Sequence, residues 1–458
     1  MRETRLFSDR YEFISILDVI GRKAANEHAT FYVKGHIAAD TDEYVLRSSA
    51  GQIVTFTAFD SDGGVKNIFS GIISDINIHN ENEMRILTVS VKSQSVLMDL
   101  YRYTRTFQDS NMTYETVTSR MEERNTNFSF LWPSHGSRPI GSMTVQYYET
   151  DWQYAIRLAG RLGTVVVPDY LLDTPHISIG TPRRQARPGI NVISYRVKKD
   201  LQFYRGSKPS GGFSERDSIS YIVKSREILD LCDPIPFQGL SMFIYAIDTR
   251  YEGDQMVHYY TLKEESGFFT PKIFNENLIG VSLHGVVKEV QQDQVQVYIN
   301  DDVEQTAHKW FAYATPFTQP DGHGFYFMPE IGDEIRLQFP SEKEDDAYVL
   351  SAVHITHGNR VDPEVKFIRT IYGQVIQFDP EKILIDNGEG SSITMHKDVG
   401  ITMKSDKEVK IDALSDITMT ACGKIILTGE GGVVIQKNDS IISVDDAIDM
   451  SSEHTRTQ

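Results

Sequence analysis

An eight-residue repeat near the C-terminus limits what this chain can fold into more than any other feature of the sequence. Every eighth residue forms one column of β-branched aliphatic side chains: Ile385, Ile393, Ile401, Val409, Ile417, Ile425, Val433 and Ile441. Two residues further on, a second apolar column contains Met395, Met403, Ile411, Met419, Leu427 and Ile435. The residues between the columns include Thr394, Thr402, Lys410 and Thr418. This alternation is typical of β-strands and not of helices.

A strand this short cannot bury its apolar face alone, so repeats of this kind are stable only when they stack on neighbours. A three-sided prism wound from three identical chains fits the period, with both columns filling its axis. At one strand spacing of ~4.8 Å for each repeat, such a needle would be roughly 38 Å long. The alternative is a monomeric β-meander, which needs reversing turns at its tips. Asn387-Gly388 is the one Asn-Gly or Asp-Gly pair of this kind in the stretch.

Length and composition exclude several classes of protein. The chain has 458 residues, enough for three or four domains, and 40% of them are hydrophobic. It contains no apolar run long enough for a transmembrane helix, and the charged N-terminus lacks a signal-peptide core. We therefore expect synthesis in the cytoplasm. Two distant cysteines, Cys232 and Cys422, argue against a disulfide framework, and a net charge of −18 argues against nucleic-acid binding.

The first two-thirds of the chain is predicted to be mainly β. A first barrel is indicated by short strands at 31–35, 52–60, 67–78 and 85–93, while the structure of 11–24 is ambiguous. A second barrel is indicated by strands at 191–198, 218–223, 241–248 and 258–263. Helices are predicted at 111–123 and 151–162, the latter with Asp151 as N-cap and Gly163 as its end. Strands near 278–290, 294–299, 309–314, 334–339 and 347–355 indicate a five-stranded Greek-key barrel.

Several local motifs carry a family resemblance. Residues 327–334, Phe-Met-Pro-Glu-Ile-Gly-Asp-Glu, resemble the oligonucleotide/oligosaccharide-binding (OB) barrel of phage-type spike proteins. A second resemblance is to the helix-to-strand step of their hub domain, and it lies in Asp151-Trp152, Arg161-Leu162-Gly163 and Val167-Pro168. The segment at 221–225, Tyr-Ile-Val-Lys-Ser, supports the same resemblance. With the repeat, the chain resembles the VgrG / phage tail spike family over nearly its whole length, in the family's order of domains.

The resemblance implies a mainly β fold: two hub β-barrels with inserted helices, an OB-fold barrel and a C-terminal triple-stranded β-helix. The expected domains are a first hub barrel at 1–104, a helical insertion at 105–164, a second hub barrel at 165–276, an OB domain at 277–358, a linker at 359–381, a needle at 382–446 and a short tail at 447–458. The linker is too short for the lysozyme domain of some phage relatives. The needle core would consist of the two columns named above.

The family also implies partners and a place of action. The chain would be a homotrimeric spike at the baseplate centre, joining a hexameric inner-tube protein and baseplate wedge and hub proteins to a three-fold tip. A separate PAAR-type tip protein would complete the point, because His454 lacks the His-x-His pair of iron-binding tips. On contraction the needle would enter a target membrane, in a phage, a tailocin, a type VI system or a released particle.

No set of residues in the sequence predicts catalysis, a cofactor or a metal site. Gly429-Glu430-Gly431-Gly432 fits a repeat turn, and His354 and His357 alone make a poor metal site. We expect a solvated loop at the acidic run Glu342, Glu344, Asp345 and Asp346. We expect the basic pairs Arg183-Arg184 and Lys198-Lys199 to be solvated charges on the surface. A non-enzymatic spike is therefore expected. The alternatives are a hub with cell-wall-degrading activity and a trimeric β-helical adhesin or tail fibre.

Overall fold

The computed structural model divides the chain into two units, Met1–Ile355 and Thr356–Gln458, and each is described by itself. The described residues are 6–38, 44, 47–48, 50–59, 64–81, 84–123, 128–207, 211–304, 306–317, 319, 321, 323–353, 362–444 and 448–451. His354, His357, His454 and most of the predicted tail lie outside these residues.

The N-terminal unit begins with six strands that match the four predicted for the first barrel and add two more. They are β1 Leu6–Ser8, β2 Ser15–Ala24, β3 Thr30–Ile37, β4 Ile53–Phe59, β5 Val65–Glu81 and β6 Met84–Lys92. Along β3, buried and half-buried side chains alternate without a break, as expected for a strand with one face on a core. The ambiguous 11–24 segment is resolved as strand β2.

Two predicted helices follow, set among short strands. The elements are β7 Arg102–Phe107, α1 Tyr114–Glu122, β8 Ser129–Leu131, β9 Thr144–Thr150, α2 Asp151–Leu162, β10 Val166–Pro168 and β11 His176–Ile179. Helix α2 ends at Gly163 in the left-handed conformation, with φ of 65°. Its N-cap is Thr150 and not Asp151, because Thr150 forms a reciprocal capping box with Gln153.

The third group of elements completes the hub. It consists of β12 Ser194–Lys199, α3 Leu201–Ser207, β13 Ile219–Ser225, β14 Pro234–Phe237, β15 Leu240–Glu252 and β16 Gln255–Lys263. Short 3-10 turns occur in the unit at Gln94–Asp99, Arg216–Ser218, Glu265–Gly267, Glu276–Leu278 and Glu344–Asp346. The four strands predicted for this region are all present.

The strands of the two predicted hub barrels form one sheet of eleven strands. Its order is β1-β4-β5-β6-β3-β2-β15-β16-β13-β12, with β14 on β15. The two halves join where β2 pairs with β15, from Ala24 opposite Ala246 to Ile20 opposite Arg250. A single hydrophobic cluster runs from Leu6 to Phe268. The two predicted barrels therefore share one sheet and one core. The sequence did not reveal this, because β2 and β15 are more than 200 residues apart and their pairing leaves no local signal.

The predicted OB barrel is present with all five strands. They are β17 Ser282–Gln291, β18 Gln294–Ile299, β19 Trp310–Ala312, β20 Glu334–Gln338 and β21 Tyr348–Ala352. The sheet order is β19-β18-β17-β20-β21, and a bridge between Tyr313 and Val349 brings its two ends together. Met143 and Val145, near and on β9, lie in the same buried cluster as the barrel's own core. The predicted boundary at 277 therefore cuts through a shared core.

The C-terminal unit consists of two antiparallel sheets. The first contains β22 Lys366–Arg369, β23 Val375–Phe378, β24 Lys382–Asp386, β25 Ser392–His396 and β26 Gly400–Lys404, and the second contains β27 Val433–Lys437, β28 Ser440–Val444 and β29 Ile448–Ser451. Strands β22 and β23 lie in the segment predicted as a linker, so the sheet begins before the predicted start at 382. No strand occurs between Ser405 and Gly432.

Within one chain, consecutive strands of both sheets pair antiparallel, as in the meander alternative. Asn387-Gly388 forms one of the reversing turns, in which the Asn387 N–H donates to the Ser391 carbonyl. A triple-stranded β-helix requires contacts between chains, and this structure contains one chain.

Candidate assembly surfaces

The first sheet of the C-terminal unit places the two apolar columns on a single face. In antiparallel pairing, residues directly opposite each other share a face. Ile385 lies opposite Ile393, which in turn lies opposite Met403, and Met395 lies opposite Ile401. The same register adds residues outside the predicted columns. The apolar residues of this face, here named the proximal face, are Ile368, Ile376, Phe378, Ile383, Ile385, Ile393, Met395, Ile401 and Met403. Lys366, opposite Phe378, lies at its border.

Most of the proximal face is exposed in the single chain, although Ile393 near its centre is half-buried. Ile385 is 42% exposed, and exposure rises to 71% at Ile401. Between the two sheets the columns continue through side chains that are all more than half exposed: Val409, Ile411, Ile417, Met419, Ile425 and Leu427. Soluble monomers rarely expose a contiguous apolar surface of this extent, and such surfaces mark interaction sites. The repeat is therefore a candidate interface.

The second sheet keeps Val433 and Ile435 together but shifts the last repeat by one residue. Ile442 lies opposite Ile435, whereas Ile441 lies opposite Gln436 on the other face. The turn before β28 contains Asn438 in the left-handed region, with φ of 50°. This turn has two residues between the paired Lys437 and Ser440, whereas the β25–β26 turn has three between His396 and Gly400. A difference of one residue changes which side chains share a face, because strand side chains alternate with a period of two. Ile442 thus takes the place that the repeat predicts for Ile441.

Strands β1 and β12 are the two ends of the hub sheet's strand order, and each is paired on one side only among the described residues. Every residue of β12 is exposed, and Tyr195 and Val197 are apolar on one face of it. Phe7 on β1 is also exposed. A long edge with apolar side chains is a template for pairing with another strand. Sequence analysis predicted strand 191–198 but had no signal that it would lie at an edge.

A buried ion-pair network joins helix α2 to the OB domain. Arg157 donates from Nε and Nη2 to the Glu149 carboxylate at 3.0 and 2.8 Å, and from Nη1 to Glu344 Oε1 at 2.6 Å. Burial raises the pKa of Glu149, and Arg157 offsets part of that rise. Burial lowers the pKa of Arg157, but attraction to Glu149 and Glu344 outweighs it and raises the pKa above its ordinary value. Charge pairing therefore holds this junction together.

Glu344 corrects one sequence expectation. The acidic run was expected to be a solvated loop, yet Glu344 is buried and Asp345 pairs with Lys309 at 2.8 Å. Arg157 lies far from Glu344 in sequence, so no local pattern could have revealed the pair. Arg105 and Asp151 form a second buried pair, at 2.6 Å, in the neighbouring hub region. The other basic pair, Lys198 and Lys199, forms surface ion pairs with Asp200 and Glu215.

A second polar contact crosses from the hub to the OB domain. Gln108 Nε2, buried at the end of β7, donates to Asp302 Oδ2 at 3.0 Å and to the carbonyls of Val297 and Thr306. Burial raises the pKa of Asp302 to about 6. Both contacts, with the shared core around Val145, make the OB domain and the helical region one packed body.

The described residues contain no cluster of His, Cys, Asp or Glu side chains that could hold a metal ion. Cys232 is buried and Cys422 exposed, and both are free thiols. Burial raises the pKa of the Cys232 thiol to about 12, which leaves it unreactive at neutral pH. Within the described part of the chain, no helix has the length and apolar character needed to cross a membrane.

Two regions of the chain match known families. Residues 29–188 match the phage tail baseplate hub (GPD) family, and residues 283–354 match the type VI secretion system/phage-baseplate injector OB domain family. The second match coincides with strands β17–β21. A search of curated protein sequences finds no significant match. The matches thus fall on the hub sheet with its helical region and on the OB barrel.

Solved structures share the fold at low sequence identity. The E. coli c3393 protein, described as a type VI secretion component similar to T4 bacteriophage tail proteins gp27 and gp5, superposes with a TM-score of 0.52. The identity is 13%, covering 75% of this chain and 99% of that one. The Francisella PdpA-VgrG complex gives 0.56 at 8% identity, covering 88% of this chain and 87% of that one. At these identities the likeness shows the fold alone.

Proposed function

Because this chain belongs to the VgrG / phage tail spike family, with a baseplate hub domain followed by an injector OB domain, we propose that it is the central spike of a contractile injection apparatus. The spike is a homotrimer that joins the inner tube and baseplate to the tip. Its mechanism is force transmission and not catalytic turnover. The needle enters the target membrane when the sheath contracts.

The uncovered proximal face is the observation that carries this proposal. It is a continuous apolar surface in a chain with enough charge to be soluble, and its columns run on through the strandless 405–432 segment. Two further copies of the same face cover it if three chains meet on an axis. Each chain then supplies the strand neighbours that the middle repeats lack in isolation. Complete burial of a fully exposed side chain of this size is worth about 1.5–3 kcal/mol, and these partly exposed side chains each contribute a fraction of that.

The hub edges support the same three-fold arrangement. A free β12 edge on one copy and a free β1 edge on the next form a head-to-tail contact, which closes into a ring when the rotation between copies is right. Three hubs in a ring adapt a three-fold needle to a six-fold tube, because the shared sheet of each hub has two halves, which join where β2 pairs with β15. The Tyr195 and Val197 side chains are then covered.

The remaining partners follow from this position. The spike contacts a hexameric inner-tube protein and baseplate wedge and hub proteins on the hub side, and a separate PAAR-type protein at the tip. Assembly takes place at the baseplate centre of a phage tail-like particle. The packed junction around Arg157 and Val145 supports force transmission, since it gives the OB domain no independent hinge on the helical region.

Light scattering on the purified chain tests the proposal. Three chains of 52.0 kDa give 156 kDa, and this mass is the expected result. A stable monomer would show that the columns are covered in some other way and would overturn the spike assignment of the C-terminal unit. Incubation with peptidoglycan provides an activity check, because solubilisation of cell wall would contradict a purely mechanical role.

A further inference from the structure

A buried amide on the hub side meets a buried carboxyl on the OB side, at a place where the two backbones also join. Gln108 follows strand β7 and is 2% exposed, and Asp302 follows strand β18 of the OB barrel and is 4% exposed. Beside them the Thr106 N–H donates to the Asp301 carbonyl at 2.9 Å, and the Val303 N–H donates to the Thr106 carbonyl at 3.1 Å. These two backbone bonds tie the OB domain to β7.

Hydrogen atoms are in short supply around the Gln108 amide. Its Nε2 atom lies 3.1 Å from the Val297 carbonyl, 2.9 Å from the Thr306 carbonyl and 3.0 Å from Asp302 Oδ2. An amide nitrogen carries two hydrogens, so three acceptors compete for them. Gln108 Oε1 and Asp302 Oδ1 are buried as well, and neither has a hydrogen-bond partner among the described residues. Buried acceptors without a donor destabilise a contact.

A proton on Asp302 corrects this imbalance. It converts one carboxyl oxygen into a donor, which is what an acceptor such as Gln108 Oε1 requires. It also removes a negative charge from a buried site, where the ionised form is disfavoured. Burial raises the pKa of Asp302 to about 6, and the bond from Gln108 offsets only part of that rise.

The charged groups around Asp302 do not remove this preference for a proton. Glu304, on the same loop, raises the pKa of Asp302 further, whereas two backbone N–H groups lower it. Arg120 of helix α1 pairs with Glu304 at 2.6 Å. Arg105 on β7 pairs with Asp151 at 2.6 Å. The arginines on the hub side are therefore committed to other carboxylates.

We propose that Gln108 and Asp302 form a proton latch between the hub and the OB domain, closed while Asp302 holds a proton and opened locally when it ionises. Opening breaks the neighbouring backbone bonds of Thr106 and Val303. The ion pairs of Arg157 do not include these atoms, so the opening is confined to the β7 side of the junction. All atoms of the latch belong to one chain, and the latch therefore does not depend on the proposed trimer.

The direction and size of the effect follow from proton linkage. The pKa of Asp302 is about 6 in the closed latch, against ~3.9 for a solvated aspartate. Between these values the closed latch holds a proton that the open latch has lost, so its stability is present in acid and is lost as pH rises through about 6. From about pH 5 to about pH 8, the equilibrium constant for opening should rise roughly tenfold.

Hydrogen exchange of the full-length chain over this pH range, followed by mass spectrometry, tests the latch. Rates are corrected for the intrinsic effect of pH on amide exchange and expressed as protection factors. Peptides that cover 102–108 and 299–304 report the Thr106 and Val303 amides, and peptides that cover strand β3 report unfolding of the whole hub. We expect protection of the two latch peptides to fall roughly tenfold as pH rises. Equal protection of the latch peptides and β3 would overturn a local opening.

A neutral side chain of the same shape separates the latch from other effects of pH. Asp302→Asn supplies amide hydrogens at every pH, so its latch peptides should stay protected across the range. Asp301→Asn removes an exposed carboxylate next to the latch and should follow the wild type. Wild-type protection that does not change with pH, or an Asp302→Asn variant that loses as much protection as the wild type, overturns the latch.

A second variant keeps the test decisive if Asp302→Asn does not fold. Glu304→Gln removes the neighbouring charge that raises the pKa of Asp302, so the midpoint of the exchange profile should move to lower pH, and an unchanged midpoint overturns the latch. Light scattering at both ends of the pH range separates the latch from the proposed function. A monomer throughout overturns the trimeric spike and leaves the latch intact. A mass that changes over the range assigns the exchange to dissociation and overturns the latch.

Discussion

At the scale of single residues, the junction between helix α2 and the OB domain depends on one guanidinium. Arg157 satisfies two carboxylates, Glu149 and Glu344, that are both buried. Burial of three charged groups is costly, and the network stabilises the fold only while all three are present. We therefore expect loss of the Arg157–Glu344 pair to destabilise the contact between helix α2 and the OB domain more than loss of a surface ion pair would.

Replacing Arg157 should destabilise the protein strongly. Arg157→Met removes the charge at similar volume and leaves Glu149 and Glu344 buried without their main partner, which costs about 3–5 kcal/mol. Urea unfolding monitored by tryptophan fluorescence measures the change. Arg120→Met is the matched control, because the pair of Arg120 with Glu123 is exposed and its pair with Glu304 is only half-buried. This variant should therefore change stability much less. Equal losses in the two variants would contradict the buried network.

Asp302 should make stability depend on pH. Its folded-state pKa of about 6 lies above the ~3.9 of an unfolded aspartate, so between these values the folded protein holds a proton that the unfolded chain has lost. Stability contributed by this group is therefore present at low pH and is lost as pH rises through about 6. We expect Asp302→Asn to flatten this part of the profile of unfolding free energy, measured by urea unfolding.

The neighbouring exposed Asp301 provides the control for that profile. Asp301→Asn removes a carboxylate of the same type outside the buried contact with Gln108, so its curve between about pH 4 and 7 should follow the wild type. An Asp302→Asn curve with the wild-type slope would show that the carboxylate titrates as it does in the unfolded chain.

At the scale of elements, strand β12 is the clearest case of an unused edge. Basic residues are among the devices that protect natural sheet edges, and β12 carries Arg196, Lys198 and Lys199. Tyr195 and Val197 nevertheless leave exposed apolar side chains on one of its faces. We predict that Tyr195→Lys with Val197→Lys opens the hub ring and leaves the needle trimer intact. The mass should stay at 156 kDa while negative-stain images lose closed rings.

A change on the other face of the same strand controls for general damage. Arg196→Gln lies between the two substituted residues and faces the opposite side. Closed rings in this variant and open rings in the double lysine variant would support pairing through the apolar face of β12. Closed rings in both would mean that the hub edges are not the contact.

The repeat strands show how far an element can be predicted from periodicity. The octad predicted β24, β25 and β26 at their observed positions, because two alternating columns specify a strand with one apolar face. The strands that it predicts around Val409, Ile417 and Ile425 are not formed in the single chain. It did not predict the shift at Ile441. Periodicity assumes turns of constant length, and the turn at Asn438 differs.

At the scale of the whole molecule, the axis of the proposed needle is the part most sensitive to charge. We predict that Ile417→Asp abolishes stable trimers, because three carboxylates would meet in an apolar axis and each would lose its hydration at a cost of several kcal/mol. Light scattering and the resistance of trimers to SDS measure the effect.

The adjacent residue offers a matched control. Thr418→Asp introduces the same charge one position along, where the repeat predicts a side chain facing solvent, and should leave the trimer intact. SDS-resistant trimers of Ile417→Asp would disprove the axis arrangement. Loss of trimers in both variants would show that the two positions do not face opposite sides.

The sequence by itself determined much of this protein. Local patterns predicted the hub strands, helices α1 and α2, all five OB strands and the octad strands, because alternation, capping residues and turn residues act over a few positions. The motifs at 327–334 and 151–168 also indicated the family, which the matches at 29–188 and 283–354 confirm.

Only the tertiary structure decided how these elements share their cores. The pairing of β2 with β15, the packing of Val145 in the OB core and the Arg157–Glu344 pair each join residues far apart in the chain. Such contacts depend on how folded elements meet in space, and no local spacing encodes that meeting. The same reason explains why the acidic run at 342–346 reads as a solvated loop in sequence but contributes a buried carboxylate to the fold.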